Sequence, residues 1–233
     1  MGGFFGVASR EKCNFDLYFG TDYHSHLGTR RAGMATYCKE SGFRKSIHNI
    51  ENTPFRTKFD KELNELDGVY GIGCISDFEA QPIFVRSRHG SYAISTVSKI
   101  NNTKEIVDSI LENTTTHFFE MSNGEINATE LVAALINQKE NFIDGIKYAL
   151  DTIDGSLSML ILTEKGIYAA RDKYGRTPVV LGKKEGSRCA SFESYAYLNL
   201  GYSDDRELGP GEIVVFDEEN CKTLVAPGEK MKI

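Results

Sequence analysis

The sequence predicts an α+β domain, and three observations carry that reading. From Ser156 onward short apolar runs are separated by Lys-Gly and Glu-Gly turn signals, the pattern of successive β-hairpins and therefore of antiparallel sheet. Between Thr103 and Leu150 apolar residues recur instead at helical spacing, in three consecutive segments. The chain also opens on a short aromatic-rich run, Phe4 to Ala8, suited to a covered strand. Strands grouped as hairpins and helices grouped in a block argue for packed layers rather than alternating βαβ units.

Taken in order, Phe4 to Ala8 is the first strand. Asn14 to Leu27 places Phe15, Tyr18, Phe19, Tyr23 and Leu27 at near-helical spacing and breaks at Gly28, so a helix is expected there. Cys38 to Phe59 is polar and contains Thr53-Pro54, where the residue before proline is pushed out of the helical region; it reads as loop and short strand. Ser91 to Ser98 alternates as a strand. Thr103 to Glu112 is amphipathic through Ile106, Val107, Ile110 and Leu111, with a cap near Asn102 or Thr103. Asn127 to Asn137, opened by a cap-like Asn, and Phe142 to Leu150 repeat the pattern and complete one helical layer. The predicted hairpin strands are Leu157 to Thr163, Gly166 to Arg171, Val179 to Lys183, Cys189 to Phe192 and Glu212 to Phe216. Asn123-Gly124 reads as a turn.

At 233 residues, with 40% apolar and 26% charged residues, the chain is large enough to bury one sizeable core, so a single domain is expected. It spans residues 1–226, with 227–233 as a tail or the start of a linker. The net charge of −6 is spread over interspersed acidic and basic residues, which argues against nucleic acid or a membrane surface as partner. No run approaches the roughly 20 apolar residues that a bilayer demands, and the N-terminus lacks a secretion signal, so a cytoplasmic location is expected. Met1-Gly2 invites a myristoylation reading, which Gly6 opposes by standing where Ser or Thr is required. The five cysteines, Cys13, Cys38, Cys74, Cys189 and Cys221, are odd in number and contain no Cys-x-x-Cys pair, so neither a disulfide framework nor a metal site is indicated, and buried free thiols are expected. No cofactor is indicated.

Several ordered motifs resemble one family along most of the chain. They are the opening Met1-Gly2-Gly3-Phe4-Phe5-Gly6-Val7; His26-Leu27-Gly28 with Ala32-Gly33-Met34; Gly71-Ile72-Gly73 with Ala80-Gln81-Pro82; Ala170-Arg171-Asp172 with Gly175-Arg176-Thr177-Pro178; Ala190-Ser191-Phe192-Glu193-Ser194; and Pro210-Gly211-Glu212-Ile213. Together they resemble the class II glutamine amidotransferases, in particular the glutaminase half of the amidophosphoribosyltransferases. The resemblance implies a four-layer αββα sandwich, two antiparallel sheets face to face between helical layers. It also implies a phosphoribosyltransferase domain or chain as partner and a place in purine biosynthesis, with a homo-oligomer left open. The transferase half itself would need an apolar run ending in paired Asp and followed by a Gly-Thr loop, which these residues lack.

The same resemblance places the family's chemistry on residues that cannot perform it. Its N-terminal Cys nucleophile, whose own α-amino group serves as base, falls on Gly2. Its Arg that grips the substrate α-carboxylate falls on Ser76, too short for a guanidinium's bidentate bonds. Its Asn-Gly oxyanion pair falls on or near Val97 and Ser98, and its Asp that holds the α-amino group falls on Ala128. No catalytic residue is therefore assigned, and glutaminase activity is expected to be absent. Two alternatives stay open: hydrolysis by substitute groups, with Cys13 or Cys74 as thiol and His24 or His26 as base, and a pocket that binds another small ligand. The retained Arg171, Asp172, Gly175, Pro178, Glu193 and Pro210 read as fold determinants at turns and strand ends.

Overall fold

The structure, a computed structural model, describes residues 2–113, 118, 121–122 and 125–229. The first strand, β1 (Gly2–Ser9), is buried along almost its whole length. Helix α1 (Asn14–Tyr23) follows and continues as a 3-10 turn, His24–His26. Next come β2 (Arg31–Cys38) and β3 (Gly42–Asn49), the short helices α2 (Phe55–Phe59) and α3 (Glu62–Glu65), and the strands β4 (Tyr70–Ser76), β5 (Ile83–Ser87) and β6 (Gly90–Ile100). The helical block is α4 (Thr103–Asn113), α5 (Ala128–Asn137) and α6 (Phe142–Thr152), interrupted by the two-residue strands β7 (Met121–Ser122) and β8 (Glu125–Ile126). The remainder is β9 (Gly155–Thr163), β10 (Gly166–Ala170), β11 (Val180–Lys184), β12 (Ser187–Ser191), α7 (Tyr195–Leu198), β13 (Ser203–Glu207), β14 (Ile213–Phe216) and β15 (Cys221–Val225).

These strands form a seven-stranded sheet, ordered β13-β11-β12-β1-β4-β2-β3, and a six-stranded sheet, ordered β15-β14-β10-β9-β6-β5, while β7 and β8 pair separately. Every pairing is antiparallel. Alternation along the strands sorts side chains into three packed interfaces. Phe4 and Ala8 of β1 face Ala93, Leu160 and Leu162 of the second sheet. Phe5 and Val7 face the other way, onto Leu17 and Tyr18 of α1, Phe55 and Phe59 of α2, and Tyr197 of α7. On the far side, Met159 and Ile161 of β9 pack with Ile106, Leu131, Leu135 and Ile146 of α4 to α6. Two antiparallel sheets between helical layers are the predicted α+β sandwich. Gly20 lets α1 settle onto the first sheet, since a Cβ there would lie 2.5 Å from the Phe5 ring.

Two local expectations are corrected. The helix expected over Asn14 to Leu27 ends at Tyr23, and the segment read as loop and short strand holds the whole of strand β3 and the short helix α2. Strand β3 is partly or fully exposed at every position, so it lacks the apolar alternation that marks a half-buried strand. The Asn123-Gly124 turn lies outside the described residues. No helix among the described residues is long and apolar enough to cross a membrane.

Candidate functional site

Strand pairing brings the first residue of β1 into line with the last of β4. Gly2 pairs with Ser76, and Ser76 pairs on its other side with Arg31 of β2. The main chain at Gly2 runs so close to β4 that a Cβ built there would penetrate the carbonyl oxygen of Ile75. Position 2 therefore lacks a side chain and, in this backbone conformation, room for one.

The Ser76 hydroxyl is spent on its own turn. Its Oγ accepts the N–H groups of Phe78 and Glu79, each at 3.2 Å, closing the tight connection that leads to β5. The turn is anchored laterally by Asp77, whose Oδ1 accepts the Thr29 N–H at 2.8 Å. Glu79 then reaches 49 residues along the chain to the start of α5. Its carboxylate accepts the Ala128 N–H at 2.6 Å, the Thr129 N–H at 3.3 Å and the Thr129 hydroxyl at 3.1 Å. Burial raises the Glu79 pKa above the ordinary carboxylate value against these bonds, which oppose it.

The network continues into the second sheet. Thr129 Oγ1 lies 2.7 Å from Thr96 Oγ1, and the Gln81 carboxamide clamps the Thr96 backbone by accepting its N–H at 2.7 Å and donating to its carbonyl at 3.1 Å. The next residues, Val97 and Ser98, are regular ladder positions of β6 opposite Ser158 and Leu157. The polar line Gln81–Thr96–Thr129–Glu79 thus joins the Ser76 turn to the start of α5 at Ala128, with Gly2 beside Ser76 and Ser98 further along β6, while Val97 turns its side chain into the inter-sheet core. Sequence reading missed Glu79, Thr96 and Thr129. The motif Ala80-Gln81-Pro82 bracketed the region, but nothing local signals a carboxylate that bonds 49 residues away.

The substitute groups are placed elsewhere. Cys74 is 2% exposed and faces the inter-sheet core, where burial pushes its thiol up to about 12. Cys13 is buried under α1 against Leu17 and Gly71. Since Gly71 pairs with Val7, that thiol lies about 17 Å along β1 from Gly2, at roughly 3.4 Å per residue. Burial also raises its pKa. A thiolate needs the reverse, a cation or a helix N-terminus that lowers it. His24 is fully buried against Gly3, with Nδ1 bonded to the Gly20 carbonyl at 2.8 Å and Nε2 at 3.3 Å from the Ser191 hydroxyl. Burial lowers its pKa to about 4, so it is a neutral packing residue at neutral pH. His26, more exposed, pairs with Glu193 at 3.1 Å. Among the described residues no group of three or more His, Cys, Asp or Glu is arranged to hold a metal ion. An open groove of about 730 Å³, lined in part by Lys12, Arg44, Ser46 and Glu62, lies along β3 and α3 and includes none of these residues.

The retained motifs serve the backbone. Arg171, 13% exposed, donates Nε to the Thr177 carbonyl at 3.0 Å, Nη2 to the Gly175 carbonyl at 2.8 Å and Nη1 to the Leu208 carbonyl, and pairs with Glu207 at 2.7 Å. Asp172, 1% exposed, accepts the Arg176 N–H at 2.8 Å. One guanidinium and one carboxylate hold the turn between β10 and β11.

Two face-packed antiparallel sheets between helices, with β1 ending at the polar line just described, define the class II amidotransferase type of sandwich. Residues 53–196 match the family model described as a glutamine amidotransferase domain, and the chain belongs to that family. Among curated proteins, it is 30% identical over 226 residues to the amidophosphoribosyltransferase of Methanocaldococcus jannaschii, covering 92% of this chain and 46% of the relative. It is 26% identical over 232 residues to that of Bacillus subtilis, covering 95% and 47%. The chain spans about half the length of the curated relatives it matches. The solved glutamine phosphoribosylpyrophosphate amidotransferase from B. subtilis superposes with a TM-score of 0.81 at 25% identity, over 95% of this chain and 48% of that one. A class II glutamine aminotransferase domain protein from Silicibacter pomeroyi, at 10% identity and a TM-score of 0.61, shares the fold over 97% of its length.

Proposed function

We propose that residues 1–226 form a glutamine amidotransferase domain that keeps the family scaffold without hydrolysing glutamine, and that it serves a structural or regulatory role beside a phosphoribosyltransferase domain or chain in the cytoplasm, in purine biosynthesis. Residues 227–233 are then a C-terminal tail or the start of a linker. The observation that carries the reading is at Gly2: the position the resemblance assigns to the nucleophile has no side chain, and its backbone abuts Ile75. Supporting it, the Ser76 hydroxyl closes a turn, Val97 offers no polar group, and the Ala128 N–H is occupied by Glu79. Removing one oxyanion donor already costs about 3–4 kcal/mol of barrier, and without a nucleophile the covalent route is closed.

Purified protein incubated with glutamine should release no ammonia above background, and an electrophilic glutamine analogue should leave the intact mass unchanged. Appreciable turnover, or a stoichiometric adduct, would overturn the reading. A longer protein containing this domain and an active transferase should use free ammonia rather than glutamine.

A further inference from the structure

Both sheets present an unpaired edge on the same flank of the sandwich. Strand β3 ends the seven-stranded sheet and β5 ends the six-stranded one, and among the described residues neither strand's outer side makes a backbone hydrogen bond. The two edges meet at an aromatic seam. Phe43 of β3 has its ring centroid 4.8 Å from that of Tyr37 and 5.9 Å from that of Phe84 of β5, and Phe84 stays 39% exposed. Cations border the seam. Lys45 Nζ stands 5.1 Å over the Phe84 ring, and Arg86, two residues further along β5 and so on the same side of it, donates to the Ser91 hydroxyl at 2.8 Å. Among the described residues no salt bridge joins Arg44, Lys45, Arg86 or Arg88 to a carboxylate, although all four are exposed and the chain as a whole carries a net charge of −6.

We propose that the β3 edge is a docking site for an acidic, extended peptide segment of a partner protein, which adds to the seven-stranded sheet as an eighth strand. The strand offers the template: its eight residues, about 27 Å at roughly 3.4 Å each, leave a row of outward N–H and C=O groups unpaired. Charge selects the occupant. A second copy of β3 would set Arg44 and Lys45 against the same two cations, so the edge is guarded against itself and complementary to a strand that carries carboxylates. Alternation places Arg44 on the α3 side of the sheet and Lys45 on the seam side, so an added strand meets a cation on each face. On the α3 side the groove of about 730 Å³ gives its side chains room; of the three acids that line it, Glu62 is paired with His48 and Asp67 with Lys12. Arg44 is steadied there by the Glu65 carbonyl at 3.0 Å, which leaves its charge uncompensated. The two cations sit toward the end of β3 away from Asn49, which shares a row with Arg31, Ser76 and Gly2, so the docking site is independent of the fate of glutamine.

The test is fluorescence anisotropy of the full chain with a labelled octapeptide of alternating Glu and Val. Binding with a dissociation constant on the order of 10–100 µM is expected, the range of a small transient interface, and it should weaken several-fold between about 50 and 500 mM salt. The backbone amide resonances of residues 43–48 should move in the same titration. A peptide of alternating Lys and Val should bind at least about tenfold more weakly, and so should the Glu peptide with a central proline, which interrupts the added ladder. Lys45→Glu and Arg86→Glu, both at exposed positions, should each weaken the acidic peptide by about three- to tenfold. No binding up to about 1 mM, equal binding of the Lys peptide, or indifference to the proline overturns the proposal. So does an unchanged affinity in both charge-reversal variants, or a single-stranded oligonucleotide that binds more tightly and moves the same resonances.

Discussion

The turn between β10 and β11 and the turn between β4 and β5 are both held by hydrogen bonds to backbone, yet they stand in opposite relation to the family they come from. At the first, Arg171 and Asp172 are the residues the family motif places there, and they bond three carbonyls and an N–H within one loop region. At the second, the family's functional positions carry other residues. Ser76 closes its own turn, and a long-range tie runs through Glu79 to α5. The difference teaches that the retained motif is the one whose side chains hold the backbone, whereas on the proposed reading the positions that changed are those whose family role is contact with a substrate.

The largest effect that tests this contrast is expected at Arg171. Arg171→Ala leaves three part-buried carbonyls without their donor and the half-exposed Glu207 without its cation, and should cost about 2–4 kcal/mol in urea unfolding. A loss below about 1 kcal/mol would mean that the retained motif is not a fold determinant.

Next in size is Gly2→Cys. The added Cβ has to push against the Ile75 main chain, so the variant should lose about 1–3 kcal/mol and gain no glutamine hydrolysis. If it matched wild-type stability and released ammonia, the functional end would differ from an active site by one atom group rather than by its backbone path.

The smallest effect is a pH dependence belonging to the retained half. Glu212, 2% exposed, would be raised by burial, but Arg206, the Gly209 N–H and the Thr223 hydroxyl hold its carboxyl below the ordinary value of 4.5. Because the folded-state pKa is the lower one, this stabilisation is present above about pH 4.5 and is lost as pH falls through the folded value. Glu212→Gln should cost about 1–2 kcal/mol at pH 7, and the gap to wild type should narrow on acidification below 4.5. A gap that stays constant with pH would remove the charge from the account.

Legibility in the sequence followed apolar periodicity rather than burial alone, since the buried strands β2 and β4, rich in small residues, were not read as strands. The segments over β9 to β12 and α4 to α6 were read close to their observed bounds, because their apolar residues repeat at periods 2 and 3.6 and most are buried. Strand β3 was not, because an exposed edge strand has no apolar face to reveal it. At the site, the motif spacing named Gly2, Ser76, Val97, Ser98 and Ala128. It offered Cys74 as a substitute thiol, which side-chain alternation along β4 turns into the inter-sheet core.

The order of residues by itself determined the layered α+β architecture, the family, and the absence of a thiol at position 2, since these depend on periodicity, turn chemistry and residue identity. The tertiary structure alone decided that the main chain at Gly2 leaves no room for a side chain, that Ser76 is consumed by its turn, and that Glu79 sits on α5. Each of those depends on how closely segments distant in sequence approach once both sheets are packed, and no local pattern encodes that distance.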